Sequence, residues 1–151
     1  MGDFVGAFAL LQRGERYLLV ANDREIDGRV QRVWDLPGGR VEAGELLHEA
    51  LRRELDEEAS LRVVGTPEFA FVQEGERVVQ GGRQYAWRSF FFLVEAEGEP
   101  RAGHEVLDVR WMTTDEIEAE CTAPYHDSFR VWLRSGGRHF VSAWRDRDGA
   151  S

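Results

Sequence analysis

The residues best suited to chemistry are four charged side chains within positions 53–58: Arg53, Glu54, Glu57 and Glu58. They lie in a segment, 45–59, that lacks proline, glycine and β-branched residues and is rich in Leu, Ala, Glu and Arg. This composition predicts a helix, and Gly44 is the nearest candidate for its N-cap. Because residues three and four apart are neighbours on a helix, the three glutamates would lie close to one another.

The side of the helix on which these glutamates lie is unusual. At about 100° per residue, Glu54 and Glu58 fall beside Leu47 and Leu51, so a stripe that is apolar in the first half of the helix becomes acidic in the second. Like charges in this arrangement repel one another, and the cost grows when they are partly buried. Arg53 can pair with one carboxylate but cannot neutralise three.

A divalent cation would remove this repulsion. Hard cations such as Mg²⁺ and Mn²⁺ prefer oxygen ligands. The sequence therefore predicts a Mg²⁺ site, with Mn²⁺ as an alternative, on Glu54, Glu57 and Glu58. The competing interpretation is an acidic helix face in contact with solvent.

The loop before the helix favours a phosphate ligand. It contains Gly38 and Gly39, which follow Leu36-Pro37 and precede Arg40. Glycines in such a turn allow a substrate to approach the backbone closely. Protein-bound Mg²⁺ commonly combines one or two carboxylates with substrate phosphate oxygens. We therefore expect Gly38, Gly39 and Arg40 to contact a phosphate-containing substrate.

Composition limits the remaining function classes. The 151 residues suit a single domain over 1–151, with a polar tail at about 145–151. A net charge of −9 argues against a binder of nucleic-acid polymers or anionic membranes, and no apolar run approaches the roughly 20 residues of a membrane span. One cysteine, Cys121, excludes an internal disulfide and fits a reducing, cytoplasmic environment. The first residues lack a basic region, so we expect no signal peptide.

The elements that must position the site alternate between strands and helices. Apolar runs predict a hairpin over 4–21, a central strand over 88–95 and a last strand over 139–144, while helical spacing predicts a helix over 125–134. Polar segments at 22–32 and 74–77 predict a loop and a turn. This mixture indicates an α/β or α+β fold whose largely mixed sheet is covered by helices.

The charged segment resembles the Nudix box. The family pattern is Gly, five residues, Glu, seven residues, then Arg-Glu-aliphatic-any-Glu-Glu-any-Gly-aliphatic. This sequence has Gly39, Glu45 and the run RELDEEASL over 53–61 at those spacings, with Ser60 in place of the last glycine. The preceding Trp34-Asp35-Leu36-Pro37-Gly38-Gly39 and the later 109–117 are also similar to Nudix domains. Because glycine ends the helix in the family, where φ is commonly positive, Ser60 puts the geometry of the cap in question.

The resemblance implies an α/β/α sandwich and a Mg²⁺-dependent hydrolase that cleaves a phosphoanhydride bond in a nucleoside diphosphate linked to another group. Carried over by position, Glu57 and Glu58 would bind the metal, with Glu54 as ligand or general base. Arg53 would orient the glutamates and Glu45 would brace the loop. Some members use a downstream acid as the base or an extra ligand, which makes Glu105 a further metal candidate and Glu118 and Glu120 weaker ones.

The resemblance leaves several alternatives open. A Nudix-like domain that binds or senses a nucleotide without cleaving it is the main one, and Ser60 is the residue that points to it. A diphosphate-lipid isomerase would need catalytic positions that the sequence does not show. Residues that distinguish substrate classes in the family are absent near 76–79, so the substrate is not chosen, and a homodimer is compatible with the sequence without being required by it. Trp34, Tyr85 and Trp87 are candidates either for stacking a nucleobase or for packing in the core.

Overall fold

The computed structural model describes residues 2–103 and 105–145, and in this part of the chain a single mixed sheet is flanked by helices. A short 3₁₀ turn, Pro124–His126, precedes the last helix. The elements are β1 (Phe4–Arg13), β2 (Arg16–Ile26), β3 (Arg29–Asp35), β4 (Gly38–Arg40), α1 (Leu47–Ala59), β5 (Arg62–Val79), β6 (Gly82–Glu97), β7 (Asp108–Met112), α2 (Thr114–Glu120), α3 (Asp127–Ser135) and β8 (His139–Arg145).

The sheet has the order β3-β2-β1-β6-β5-β8, with β4 paired to β1 and β7 paired to β2. β1 runs parallel to β6, β5 runs antiparallel to β6, and β8 runs parallel to β5. β1 and β2 separate from each other along most of their length. These two strands pair with each other only beside their turn, and further along β1 pairs with β4 while β2 pairs with β7. The predicted mixed sheet is confirmed.

Two apolar clusters fill the two sides of the sheet. Alternation along β1 divides its side chains between them, because successive residues of a strand point to opposite faces. Ala7 and Ala9 pack with the buried face of α1, including Leu51 and Leu55. Leu10 packs in the other cluster, on the side that carries α2 and α3. The chain is therefore a three-layer α/β/α sandwich, as predicted.

Two polar segments that predicted irregular structure are strands instead. The predicted loop over 22–32 is wrong, since β2 and β3 form a hairpin through it that turns at Asp27 and Gly28, whose φ angles are 53° and 76°. The predicted turn over 74–77 is also wrong, because β5 continues to Val79 and pairs with both β6 and β8. In both cases the backbone N–H and C=O groups of a polar segment form hydrogen bonds with neighbouring strands.

Of the predicted polar tail, Arg145 is the last residue of β8, and 146–151 lie outside the described residues. Among residues 2–103 and 105–145, we find no helix with the length and apolar character needed to cross a membrane. The single-domain organisation over 1–151 stays a prediction.

Candidate active site

Helix α1 begins at Leu47, two residues later than predicted, because Glu45 belongs to the loop that braces it. The Glu45 carboxylate accepts a hydrogen bond from the Glu42 N–H at 3.0 Å. Leu46 is the N-cap, and its N–H donates to the Glu49 carboxylate at 2.8 Å. Gly44, the predicted N-cap candidate, instead occupies the turn before the helix, with φ of 81°. The helix start is thus capped by a glutamate of its first turn rather than by a Ser, Thr, Asp or Asn side chain.

The other end of α1 keeps the conformation that a glycine would adopt. Ser60 has φ of 59° and ψ of 36°, and its N–H donates to the Asp56 carbonyl at 3.1 Å. The next N–H, from Leu61, donates to the Leu55 carbonyl at 3.2 Å. Backbone groups of the segment before β7 continue this cap, since the Gly103 N–H donates to the Glu58 carbonyl at 2.9 Å. The cap geometry is therefore intact despite the serine.

Ser60→Gly is expected to stabilise the protein, because a serine in the left-handed region carries a steric cost that glycine does not. Glycine's greater flexibility in the unfolded chain offsets part of the gain, so we expect a net increase of about 0.5–1 kcal/mol in the free energy of unfolding. Urea denaturation measures it. Ser60→Ala is the matched control, since alanine keeps the left-handed strain and should not stabilise. An equal gain in both variants would show that the strain is absent.

Two of the three predicted metal ligands, Glu54 and Glu58, lie together on the inner side of α1. Their side-chain carboxyl groups share a hydrogen bond, and Glu58 Oε1 also accepts one from the Gly38 N–H at 2.7 Å. Burial raises the pKa of Glu58 to about 9, the negative charges of Glu54 and Asp35 add to the increase, and the Gly38 N–H opposes it. At neutral pH and without a cation, this pair therefore holds a proton.

Arg53 is the centre of the surrounding ion pairs. Its guanidinium binds Glu45 through two hydrogen bonds of 2.7 and 3.0 Å and donates to Glu54 Oε1 at 2.9 Å. It also donates to the backbone carbonyl of Arg40 at 3.2 Å. The hydrogen bonds from Arg53 lower the pKa of Glu45 to about 2, and those to Glu45 and Glu54 raise the pKa of Arg53. These contacts are compatible with the predicted roles of Arg53, which would orient the glutamates, and of Glu45, which would brace the loop; both roles stay predictions.

Glu57 takes a different position from its two neighbours. Its side chain is 57% exposed, whereas that of Glu54 is 15% exposed, and its nearest charged partner is Arg53 at 3.4 Å. Within the described residues, no three His, Cys, Asp or Glu side chains are grouped as a metal-ligand set. The predicted cluster of three is therefore a close pair, Glu54 and Glu58, with Glu57 at its outer edge.

The three downstream acids lie in two parts of the chain, Glu105 in the segment before β7 and both Glu118 and Glu120 on α2. Glu105 is exposed and follows Gly103, whose N–H caps α1. Glu118 and Glu120 are on α2, where Glu118 pairs with Arg134 and Glu120 pairs with Arg110. These ion pairs already engage the carboxylates of α2.

The two loop glycines allow β4 to lie directly against the acidic pair. Gly38 has φ of 142°, and a Cβ atom there would overlap the Ala7 carbonyl. A Cβ atom on Gly39 would lie 2.9 Å from Glu54 Oε1, closer than real Cβ contacts. Arg40, the third predicted substrate contact, places its guanidinium 4.2 Å from the ring centroid of Phe4. The loop therefore brings backbone beside Glu54 and Glu58, while the Arg40 side chain contacts Phe4.

Asp35 is a buried carboxylate whose charge acts on Glu58, and the sequence analysis did not identify it as a site residue. It is 2% exposed, and its carboxylate accepts hydrogen bonds from the Asn22 amide at 3.0 Å and the Tyr125 hydroxyl at 2.7 Å. Arg24 forms an ion pair with it at 3.3 Å. Burial lowers the pKa of the neighbouring His126, so this ring is neutral beside the aspartate. The signal available was the position of Asp35 beside the glycine loop, but its partners come from distant parts of the chain.

The donors at the acidic pair suit a hard cation. Glu54 and Glu58 offer only carboxylate oxygens, and their partial burial leaves their mutual repulsion poorly screened by solvent. Without a cation, the proton that Glu54 and Glu58 share removes the repulsion between their negative charges. A divalent cation would meet this electrostatic demand.

The sequence matches the NUDIX domain family over residues 3–133. Among curated proteins it is 30% identical over 105 residues to the uncharacterized Nudix hydrolase YfcD of Escherichia coli K12, a match that covers 68% of this chain and 56% of that protein. It is 31% identical over 116 residues to nucleoside triphosphatase NudI of E. coli, covering 72% of this chain and 80% of that protein. The chain thus spans only about half the length of YfcD.

Solved structures show the same fold. A MutT protein from Bacillus halodurans superposes with a TM-score of 0.74 at 22% identity, covering 94% of this chain and 89% of that one. The ORF135 protein of E. coli superposes with a TM-score of 0.70 at 25% identity, covering 89% and 93%. Together with the match over residues 3–133, these relatives show that the chain belongs to the Nudix hydrolase family.

Proposed function

We propose that this protein is a Mg²⁺-dependent hydrolase that cleaves a phosphoanhydride bond in a nucleoside di- or triphosphate, or in a nucleoside diphosphate linked to another group. The observation that carries the proposal is the partly buried pair Glu54 and Glu58, which the glycine loop contacts through the Gly38 N–H and which Arg53 orients. One relative, NudI, is named as a nucleoside triphosphatase, and another, from Mycobacterium tuberculosis, as the putative mutator protein MutT4.

The proposed metal ligands are Glu54, Glu57 and Glu58, with Glu105 as a further candidate beside the cap of α1. When bound, Mg²⁺ would acidify the attacking water and offset the charge that grows on the phosphoryl oxygens. Mn²⁺ is an alternative because it accepts the same oxygen donors.

The residues of the chain would hold the substrate and move the proton. Gly38 and Gly39 let β4 lie directly against the pair, and the proposed contacts for a substrate phosphate are Gly38, Gly39 and the positive charge of Arg40. Arg53 fixes one oxygen of Glu54, and we propose Glu54 either as a metal ligand or as the general base that accepts the proton from water. We favour Glu54 over Glu118 and Glu120 as the base because Glu118 is paired with Arg134 and Glu120 with Arg110.

We also propose a cytoplasmic location and a small-molecule partner for the protein. The thiol of Cys121 is buried and burial raises its pKa to about 12, so it is protonated and unreactive. An inert thiol suits the reducing environment of the cytoplasm that we propose for the protein. The partner is a small nucleotide-type substrate, and the alternative of a binding-only domain loses support because Ser60 keeps the helix cap intact.

A panel of nucleotides tests the proposed function. We expect release of phosphate or pyrophosphate from at least one nucleoside di- or triphosphate or sugar nucleotide in Mg²⁺, and no release in EDTA. Glu57→Gln should lower the rate, since it removes one of the proposed ligand charges. Asp56→Asn, an exposed neighbour on the same helix, is the matched control and should change the rate less than twofold. Absence of turnover for every substrate, with tight nucleotide binding retained, would instead identify a binding domain.

A further inference from the structure

The backbone of the glycine loop is held at three consecutive residues. The Leu36 N–H donates to the Nε2 atom of His126 at 3.3 Å, and the Pro37 carbonyl accepts a hydrogen bond of 2.8 Å from a backbone N–H of β1. The next group along the chain, the Gly38 N–H, donates to Glu58. Leu36 is 1% exposed, so its N–H depends on an acceptor from the protein. The His126 side chain thus supplies the first of the three contacts that fix this segment.

His126 comes from a distant part of the chain and is wholly buried. It is the last residue of the 3₁₀ turn before α3 and is 90 residues from Leu36 in the sequence. Its ring packs against the ring of Phe8 in an edge-to-face arrangement, with centroids 5.2 Å apart. Phe8 also lies against Gly38, where an added Cβ atom would be 2.8 Å from the Phe8 ring. The imidazole, Phe8 and the loop backbone are therefore packed together, and a shift of one requires a shift of the others.

The contact with Leu36 requires a particular form of the imidazole. Because an N–H group donates to Nε2, this nitrogen must be unprotonated, and a neutral ring then carries its proton on Nδ1. Burial lowers the pKa of His126, which keeps the ring neutral. Asp35 Oδ1 is 3.5 Å from the same nitrogen, but this oxygen already accepts the Tyr125 hydroxyl at 2.7 Å. The Leu36 N–H is therefore the partner that matches Nε2.

The residue before His126 contacts the residue before Leu36. Tyr125 donates to Asp35, the last residue of β3, so two consecutive residues of the 3₁₀ turn hold two consecutive residues at the start of the loop. Two adjacent contacts fix the rotation of a backbone segment as well as its position, which a single contact does not. The layer of α2 and α3 thereby contributes to the direction in which the Gly38 N–H points.

We propose that His126 is a positioning residue, which accepts the Leu36 N–H and thereby holds the glycine loop where the Gly38 N–H binds Glu58. The inference rests on the proposed function, since His126 acts on the reaction only through the proposed metal ligand Glu58. Removal of the imidazole would leave a buried N–H without an acceptor, which is costly, and the loop would have to turn to find one. Loss of a group that supports a metal ligand commonly lowers activity or metal affinity about 10- to 100-fold.

The position of the proton on the His126 ring is the first test and needs no variant. Two-dimensional ¹H–¹⁵N spectra of the imidazole, recorded on the metal-free protein at neutral pH, should show a protonated Nδ1 and an unprotonated Nε2. A proton on Nε2 would overturn the inference, because that nitrogen would then donate towards Asp35 and could not accept from Leu36. This measurement decides the question even if a variant fails to fold.

Two neutral amides form a matched pair of variants that differ in reach. The amide oxygen of His126→Gln is as many bonds from the backbone as Nε2 and can accept the Leu36 N–H, whereas that of His126→Asn is one bond too short. In metal-free protein, hydrogen exchange of the Leu36 and Gly38 amides, relative to those of β6, should be about tenfold faster in His126→Asn and nearly unchanged in His126→Gln. Equal protection of both amides in His126→Asn and the original protein would contradict the inference.

Phe129→Leu is the control for a general loss of stability. Phe129 is another wholly buried ring, on α3, and its ring contacts Tyr17. The variant should unfold more easily than the original protein, because it loses buried apolar volume. It should not accelerate exchange of the Leu36 and Gly38 amides relative to those of β6.

Turnover separates a positioning role from a purely structural one. With a nucleotide that the original protein hydrolyses, His126→Asn should lower kcat about tenfold and change KM less, and His126→Gln should recover most of the loss. Phe129→Leu should keep kcat within about twofold of the original. An unchanged kcat in a His126→Asn protein whose loop amides exchange faster would rule out a role for His126 in the reaction. If the original protein hydrolyses no nucleotide, the hydrolase proposal fails, while the ring spectra and the amide exchange still decide whether His126 holds the loop.

Discussion

Replacing Glu58 by glutamine is expected to lower kcat by at least about 100-fold, as do changes that disturb the ligands of a catalytic metal. The glutamine side chain has the same size and can still accept the hydrogen bond from the Gly38 N–H. It cannot supply negative charge, however, and Glu58 is one of the two partly buried carboxylates that would hold Mg²⁺. We also expect the Mg²⁺ concentration for half-maximal rate to increase.

Initial rates measured over a range of Mg²⁺ concentrations check this expectation. Asp56→Asn removes one negative charge from the exposed side of the same helix. It is the control for the change in net charge that Glu58→Gln also causes. A Glu58→Gln enzyme with both an unchanged kcat and an unchanged Mg²⁺ concentration for half-maximal rate would show that the Glu58 carboxylate does not hold the metal. The reaction would then have to depend on Glu54 and Glu57 alone.

The second large effect is a loss of stability with rising pH that Mg²⁺ reverses. The pKa of Glu58 is raised to about 9 in the folded protein from an ordinary value of 4.5, chiefly by burial. The stabilisation linked to its proton is therefore complete below pH 4.5 and is lost as pH rises towards 9, because the unfolded chain releases that proton first. Without metal, we expect the free energy of unfolding to fall by on the order of a few kcal/mol over this window.

Mg²⁺ should oppose this loss, since it binds the charged pair and stabilises only the folded state. Melting temperatures measured at pH 6, 7, 8 and 9 in EDTA and in Mg²⁺ should diverge as pH increases. In Glu58→Gln, both the pH slope in EDTA and the Mg²⁺-dependent difference should shrink, because glutamine has no proton to lose. Parallel curves for the two proteins would mean that the Glu54–Glu58 pair is not the source of the slope.

Helix geometry made the centre of the site predictable. Glu54 and Glu58 are four residues apart, so any helix over this segment brings them together, and the apolar positions of Leu47 and Leu51 indicate which side is buried. The resemblance to the Nudix box added the roles of Arg53 and Glu45, and both side chains make the expected contact.

Other features of the site depend on contacts between residues that are far apart in the sequence, and short sequence patterns cannot predict such contacts. Glu57 is only one turn from Glu54, yet its position at the edge of the buried stripe lets it extend into solvent. Asp35 acquires its role from Asn22 and Tyr125, which are far from it in sequence.

The division of the interior into two apolar clusters has a consequence for how substitutions combine. The helix with the acidic pair rests on one cluster, and residues of α2 and α3 pack in the other. Substitutions at distant sites without shared contacts tend to contribute additively to folding free energy. Changes among the core residues of α2 and α3 should therefore leave the contribution of the cluster beneath Glu54 and Glu58 largely unaltered.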